Sequence, residues 1–353
     1  MSDRFLPSRR HVVAGLGGVL ATPFIWRRAS AATQLVIRTT GGVYDDIMRR
    51  SVYDAFSKAT GIEVVTAPAP MSKLIAMYKA GGAEFDVIDT GDGGLLNLER
   101  LGALTPIAYD SWKYGKPDEI IKELRFPYRV GNFVYATVAV YSTQSFPSKH
   151  PRNWAEFWDT KTFPGPRTLP DMASGQPPFE FALIADGVAP DKLYPLDLDR
   201  AFHALTRIRD SVPKFWDTGA LSAQLLTDKE AVLGALWNGR VQTIIDKGAP
   251  IAIEWNQNMI QVQAYGIPKA SRHPEAAQLF VDFASQAAVQ VGYAKDLRYG
   301  PSNIKAYDLL PPDLLAILPG GPRYRDMGFY QKIDWWEDNR DRVNRMWSSW
   351  ILG

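Results

Sequence analysis

An α/β fold of two domains, built on a parallel sheet flanked by helices, is predicted by three features of the 353-residue chain. Strand-like and helix-like periodicities alternate twice soon after the N-terminal leader. About 320 residues remain once that leader is set aside, which at roughly 100–200 residues per domain implies two domains. The cysteine count is zero, so burial and not disulfides must stabilise the fold, and thiolate metal sites and a cysteine nucleophile are excluded together.

The leader comes first in the chain. Arg9 and Arg10 precede an apolar run from Val12 to Trp26 that is interrupted by three glycines and a proline and followed by Arg27, Arg28 and Ala29-Ser30-Ala31. A bilayer-spanning helix needs about 20 apolar residues. A charged region, a short apolar region and a small-x-small site instead make an export signal, cleaved near Ala31 or Ala32. The order Ser8-Arg9-Arg10-x-Val12-Val13 resembles the twin-arginine signal, which places the mature protein in the periplasm. Removing residues 1–31 leaves 35 basic and 37 acidic residues, so nucleic acid is an unsuitable partner.

"QLVIRTT" (34–40) is a β-branched run ending at Gly41-Gly42. Val43, Ile47, Val52 and Phe56 then recur at near-helical intervals, Gly61 stops the helix, and "IEVV" begins a second strand. The unit repeats: "MSKLIAMYKAG" reads as a helix and "EFDVIDTGDGG" as a strand running into a glycine-rich loop. Strand, helix, strand, helix, strand gives a parallel sheet, whose ligands collect beyond the carboxyl ends of the strands. Two loops lie there, Thr39-Thr40-Gly41-Gly42 and Asp89-Thr90-Gly91-Asp92-Gly93-Gly94. Farther on, "ATVAVYSTQ" reads as a strand crossing between domains. Asn153 and Glu156 have capping-box spacing, and Trp154, Phe157 and Trp158 form a packing stripe. Pro178 to Gly187 and Leu198 to Val212 read as helices, and Pro274 opens another with the stripe Phe280, Phe283, Ala284 and Ala287.

Catalytic constellations are thin. The histidines at 11, 150, 203 and 273 have no metal-ligand spacing, and no nucleophile elbow, phosphate loop or dinucleotide fingerprint occurs. Asp89 and Asp92 read more simply as a cap and a solvated carboxylate than as an acid/base pair. Neither an enzyme nor a cofactor is expected; a periplasmic hydrolase on the same two-domain scaffold is the alternative.

Seven phrases, "FSKATGIEV", "FDVIDTGDGGLLNLERLGALTPI", "NWAEFWDTKTFPG", "LYPLDLDRAFHALTRI", "LWNGR", "IPKASRHPEAAQLFVDF" and "RYGPSN", occur in an order and spacing that resemble the periplasmic solute-binding proteins of ABC importers, of the spermidine/putrescine type. The resemblance runs from about residue 34 to the C-terminus. It implies a two-lobed periplasmic-binding-protein fold of type II, with residues 33–137 and 264–305 as one lobe and 138–263 and 306–353 as the other. The lobes would hinge on strands near 137–141 and 261–266. A monomer would carry a small solute in the cleft to a membrane permease and its ATPase.

The resemblance also implies ligand residues. Trp237 matches a cleft tryptophan and Tyr299 a cleft tyrosine. Asp171 stands near a third position, a carboxylate, and Trp255 is a further aromatic candidate. Polyamine binders hold a cation between ring faces and acids. Here Thr40-Gly41-Gly42 and Thr90-Gly91-Asp92 stand where those proteins place aromatic and acidic residues, and Gln261-Val262-Gln263 stands where they place Trp-x-Asp. An acid has become an amide, which suits hydroxyl, amide or carboxylate groups. The backbone N–H groups of Gly41 and Gly42 at a helix start likewise favour an anionic end. The expected solute is a small polar amine: a polyamine, or a zwitterion such as an opine or amino-acid derivative.

Overall fold

Two parallel half-sheets meet on a pair of long antiparallel strands. The computed structural model describes residues 34–175 and 177–353, so the export signal read at residues 1–31 lies outside the described residues. In the first half-sheet β1 (Gln34–Thr39) lies between β2 (Glu63–Pro68) and β3 (Val87–Gly91), all parallel. A short β4 (Leu104–Thr105) pairs with the end of β9 (Ile251–Pro268). β9 runs antiparallel to β3 and to β5 (Arg129–Ser142). Beyond β5 come β8 (Leu233–Trp237), β6 (Arg167–Pro170) and β7 (Lys214–Trp216), the last three mutually parallel. Two further short strands, β10 (Gly300–Pro301) and β11 (Gly328–Tyr330), flank β5 and β9.

The helix after β1 explains an irregular spacing in its apolar stripe. Val43–Met48 and Asp54–Thr60 are α-helical, but Arg49–Tyr53 between them is π-helical, which admits one extra residue and turns the five-residue step from Ile47 to Val52 onto one face. Ile47, Val52 and Phe56 are buried, whereas Val43 is 73% exposed. Gly61 closes the helix in the left-handed conformation (φ 75°).

The glycine-rich segment after β3 is not a loop. β3 runs directly into the helix Asp92–Arg100, with Gly93 and Gly94 in its first turn. A Cβ on Gly93 would stand 2.9 Å from Glu337 Oε1, and one on Gly94 2.5 Å from Met71 Cε, so these glycines permit close helix packing. The expected helix through Ala287 is likewise two helices, Pro274–Ala284 and Ala287–Leu297.

The 14-residue β5 and 18-residue β9 carry the chain between two regions of core. Their register shifts between Thr137 and Ala139, where β9 accommodates extra residues between Glu254 and Met259 and Gln257 takes φ 60°. Packing changes hands at the same place. Val134 and Ile260 belong to the core around the first half-sheet, Ala139 and Met259 to that around the second. Tyr307, Leu310, Leu314 and Leu318 pack with the first core, although residues 306–353 were expected with the second. The reason is β10, which pairs with Phe133 and Val134 and returns the chain to that side. β11 then pairs with β9 at Asn258–Ile260, and the helix Ile333–Leu352 buries Trp336, Val343 and Trp347 in the second core.

The tryptophan stripe is core, as its spacing implies. Asn153 caps Trp154–Trp158 by accepting from Glu156 N at 2.8 Å, while the Glu156 carboxylate reaches back to Arg152 N. The Trp154 ring stacks on Phe181 with centroids 4.0 Å apart, and its Nε1 donates to Gln257 O in the β9 bulge.

Candidate functional site

Residues two apart on a strand share a face, and here that face is the floor of a cleft. Phe133 lies opposite Gln263, Tyr135 opposite Gln261, and Thr137 opposite Trp237 of β8. Tyr135 lines two cavities, one of about 310 Å³ and the other of about 350 Å³. It is their shared wall.

The first compartment is aromatic and contains a cation with no anionic partner among the described residues. Tyr299 stacks on Phe133 (5.0 Å, 18°) and lies 5.7 Å from Tyr135, which meets Trp237 nearly edge-on at 6.3 Å. The sequence "WNGR" (237–240) assembles this wall. Asn238 is fully buried; its Oδ1 accepts from Ala136 N at 2.9 Å and its Nδ2 donates to Arg298 O at 2.7 Å, tying the helix Asn238–Asp246 to β5 and to the turn before Tyr299. A Cβ on residue 239 would lie 2.6 Å from Tyr299 Cε1, so glycine is required for that approach. Arg240, in the helix's first turn, is exposed to the cavity and makes no hydrogen bond or ion pair with the described residues. The carboxylate of Asp296, also at this wall, is held by Arg50 at 3.3 Å.

Behind the wall sits Asp89, fully buried. Gln263 Nε2 donates to its Oδ1 at 2.8 Å, and the Tyr44 hydroxyl donates to its Oδ2 in a short bond. Burial raises the Asp89 pKa to about 7, opposed by those two hydrogen bonds and by the charge of Arg38. Gln263 is thus held in place through its amide NH₂, leaving Oε1 as its acceptor.

The second compartment is polar, and its charges are paired within the protein. Arg340 is bound by Glu337 at 2.7 Å. Asp92 makes a buried, short ion pair with Arg129, which also contacts Glu99. Burial raises the Asp92 pKa, with Arg129 opposing. Thr90, Asn97 and Gln261 complete the lining that matters. Gln261 Oε1 accepts from Thr137 Oγ1 at 3.1 Å, whereas its buried Nε2 has no partner among the described residues.

Of the residues expected from sequence, Thr40, Trp237, Gln263 and Tyr299 line the first compartment, and Thr90, Asp92 and Gln261 the second. Four are placed elsewhere. Gly41 and Gly42, both at positive φ, shape the turn into the helix that begins at Val43 and line neither cavity. Asp171 caps the turn Met172–Ser174 by accepting from Ala173 N at 2.8 Å, and also accepts from Trp347 Nε1. Trp255 stacks on Tyr324 at 4.2 Å within the core. Asp92, though in the lining, is committed to Arg129. Sequence reasoning missed Tyr135, Phe133, Tyr44 and Arg240. The signal that points to Arg240 is its place in the same short phrase, "LWNGR", as Trp237.

The family model for bacterial extracellular solute-binding proteins matches residues 51–315. The chain belongs to this family. The solute-binding protein is 26% identical over 330 residues to the gamma-aminobutyric acid (GABA)-binding protein of Pseudomonas aeruginosa, spanning 91% of this chain and 92% of that one. Its fold matches an ABC transporter substrate-binding protein from Bradyrhizobium japonicum with a TM-score of 0.84 and 32% identity, over 90% of this chain and 99% of that one. It matches a GABA receptor with a TM-score of 0.83 and 32% identity, over 90% and 97% of the respective chains. One of these relatives is named as an ABC transporter substrate-binding protein and the others as a GABA-binding protein and a GABA receptor, which with the family displaces the hydrolase alternative: this solute-binding protein captures a solute for an ABC transporter and is not an enzyme. Two of the three are named for GABA, so the narrower resemblance to the spermidine/putrescine type is not carried by them.

Proposed function

We propose that the solute-binding protein takes a small zwitterion, an ω-amino acid such as GABA or an amine-substituted relative, between two lobes formed by the two core regions. The observation that carries this reading is Arg240, a guanidinium without a carboxylate partner among the described residues, facing a cavity walled by Trp237, Tyr135 and Tyr299. A solute carboxylate would complete it with charge-assisted hydrogen bonds. The methylene chain would lie against the rings, and the ammonium would take a ring face and Gln263 Oε1. The GABA-binding relatives support the same chemistry.

A polyamine is the second reading, favoured by the ring faces and by Asp296 at the wall. It would leave Arg240 facing a like charge. Calorimetry with GABA and putrescine on wild type and Arg240→Gln separates the two. We expect wild type to prefer GABA and the variant to lose about 1.5–3 kcal/mol for it. Tighter putrescine binding, unchanged in the variant, would overturn the zwitterion reading.

Closure of the lobes would flex β5 at Thr137–Ala139 and β9 at its bulge, and deliver a monomeric complex to the permease and its ATPase. Arg9 and Arg10 support export to the periplasm by the twin-arginine route. Precursor retained in the cytoplasm when both are replaced by Lys is the expected result; normal export would sink it.

A further inference from the structure

We propose that Asp89, without touching the solute, makes the first compartment select a cationic amine by acting through Gln263, and that binding such a solute expels a proton from Asp89. The inference rests on the reading that the solute's ammonium lies against Gln263 Oε1.

The geometry makes Asp89 a positioning residue. Its carboxylate is fully buried and makes no ion pair with the described residues. The neighbouring Arg38 donates instead to Ala69 O at 2.8 Å and to the backbone O of Asp89 at 2.9 Å. Both carboxylate oxygens are taken by side chains that line the cavity, Oδ1 by Gln263 Nε2 and Oδ2 by the Tyr44 hydroxyl. A buried charge without a counterion is costly, and a counterion brought close relieves it. The solute's ammonium is that counterion, one amide away. An ionised Asp89 only accepts, so it takes the Gln263 NH₂ and leaves Oε1 to the cavity. A protonated Asp89 can donate to Oε1 and turn the NH₂ outward, where it repels an ammonium.

The rest of the wall offers the amine less. The Asp296 carboxylate is held by Arg50 at 3.3 Å, the Thr243 hydroxyl donates to Gly239 O at 2.8 Å, and Thr40 lies exposed at the margin. Asp89 is faced by Arg38 from β1, Tyr44 and Asp45 from the helix Val43–Met48, Tyr53 from the π-helical turn, Tyr265 from β9 and Tyr293 from the helix Ala287–Leu297. Burial pushes the four tyrosines upward and keeps them neutral, while the Asp89 carboxyl is raised to about 7. An arriving ammonium favours the ionised form, so affinity for it should rise with pH through about 7 and then level off.

The test compares GABA with 4-hydroxybutyrate, which replaces the ammonium by a hydroxyl, by calorimetry on the mature protein. GABA keeps both its charges between about pH 5.5 and 8, since free carboxyls titrate near 4 and amines near 10. Wild type should bind GABA about tenfold more weakly at the lower pH and release about one proton per GABA at about pH 6, read from buffers of different ionisation heat. 4-Hydroxybutyrate should change less than about twofold and release none. Asp89→Asn keeps an acceptor for Gln263 but cannot ionise, and should abolish both the pH dependence and the proton release. Tyr44→Phe removes a hydrogen bond that holds the Asp89 pKa down, so it should move the midpoint of the GABA profile to higher pH; this variant carries the test should the asparagine variant fold poorly. His273 meets Asp86, just before β3, at 3.3 Å, and His273→Gln should keep the wild-type profile. GABA binding independent of pH, or a pH dependence and proton release retained in Asp89→Asn, would overturn the role of Asp89, and weaker GABA binding by Arg240→Gln would still uphold the zwitterion reading. A pH dependence lost in Asp296→Asn and kept in Asp89→Asn would put the amine at Asp296 and overturn the inference. An Arg240→Gln variant that leaves GABA unchanged, with the Asp89 signature intact, would overturn the carboxylate anchor and uphold Asp89. Binding of neither probe by wild type would overturn both.

Discussion

On one side of Tyr135, Arg240 faces a cavity without a carboxylate partner among the described residues; on the other, Arg340 is held by Glu337 and Arg129 by Asp92 and Glu99. The two compartments share strands and one aromatic wall, and Asp296 in the first is paired with Arg50 much as Asp92 and Arg340 are paired in the second; Arg240 is the charge that sets them apart. The difference teaches how to separate a binding charge from a structural one. A charged side chain in a cavity lining is a ligand anchor only when the protein has not already used it. Asp92 and Arg240 are both charged residues in a cavity lining; the partners they keep decide their roles.

The largest expected effect comes from breaking the paired side. Arg129→Met leaves Asp92 and Glu99 facing each other at a mostly buried site, and we expect a loss of about 3–5 kcal/mol in urea unfolding. A loss below about 1 kcal/mol would mean that these charges are solvated and that the contrast between compartments is overstated.

Asp89→Asn sharpens the comparison from behind the first compartment. The folded-state pKa of Asp89 is raised to about 7 from an ordinary 3.8, so its favourable contribution is fully present below about pH 4 and is lost as pH rises through about 7. Asparagine has no such penalty. The variant's stability relative to wild type should therefore improve between about pH 4 and 8, by roughly 2–4 kcal/mol on linkage. Parallel pH profiles for the two proteins would show that Asp89 ionises normally.

The smallest effect is expected at Arg100, which bridges to Asp338 at 2.7 Å and to Asp334 at 3.7 Å on the exposed rim between the helices Asp92–Arg100 and Ile333–Leu352. These groups are substantially exposed, so Arg100→Ala should cost no more than about 1 kcal/mol. A larger loss in thermal unfolding would place this rim among the structural pairs.

Much of the fold was legible because its signals are local. The alternation of strand and helix through residue 91, the cap at Asn153 and the tryptophan stripe each depend on residues a few positions apart. The glycine run at 91–94 misled because glycine marks loops and close helix contacts alike, and the contact, Glu337 against Gly93, lies more than two hundred residues away. The site divides in the same manner. Trp237 and Tyr299, picked out through short phrases, line the first cavity, whereas Asp171 and Trp255 line neither, because a carboxylate and an aromatic ring look the same in sequence whether committed to a cap and a stack or facing a cavity.

By itself the sequence determined the α/β class, the disulfide-free core and the lack of catalytic motifs, all of which follow from composition and short-range spacing. Only the tertiary structure decided that Tyr135 stands between two compartments, that Gln263 is held by Asp89, and that Arg240 alone among the charges discussed faces its cavity without a described partner. Those outcomes depend on pairings between residues as far apart as 89 and 263, or 92 and 129. Chain crossing brings such partners together, and in a low-dielectric interior the pairing fixes what each charge is left to bind.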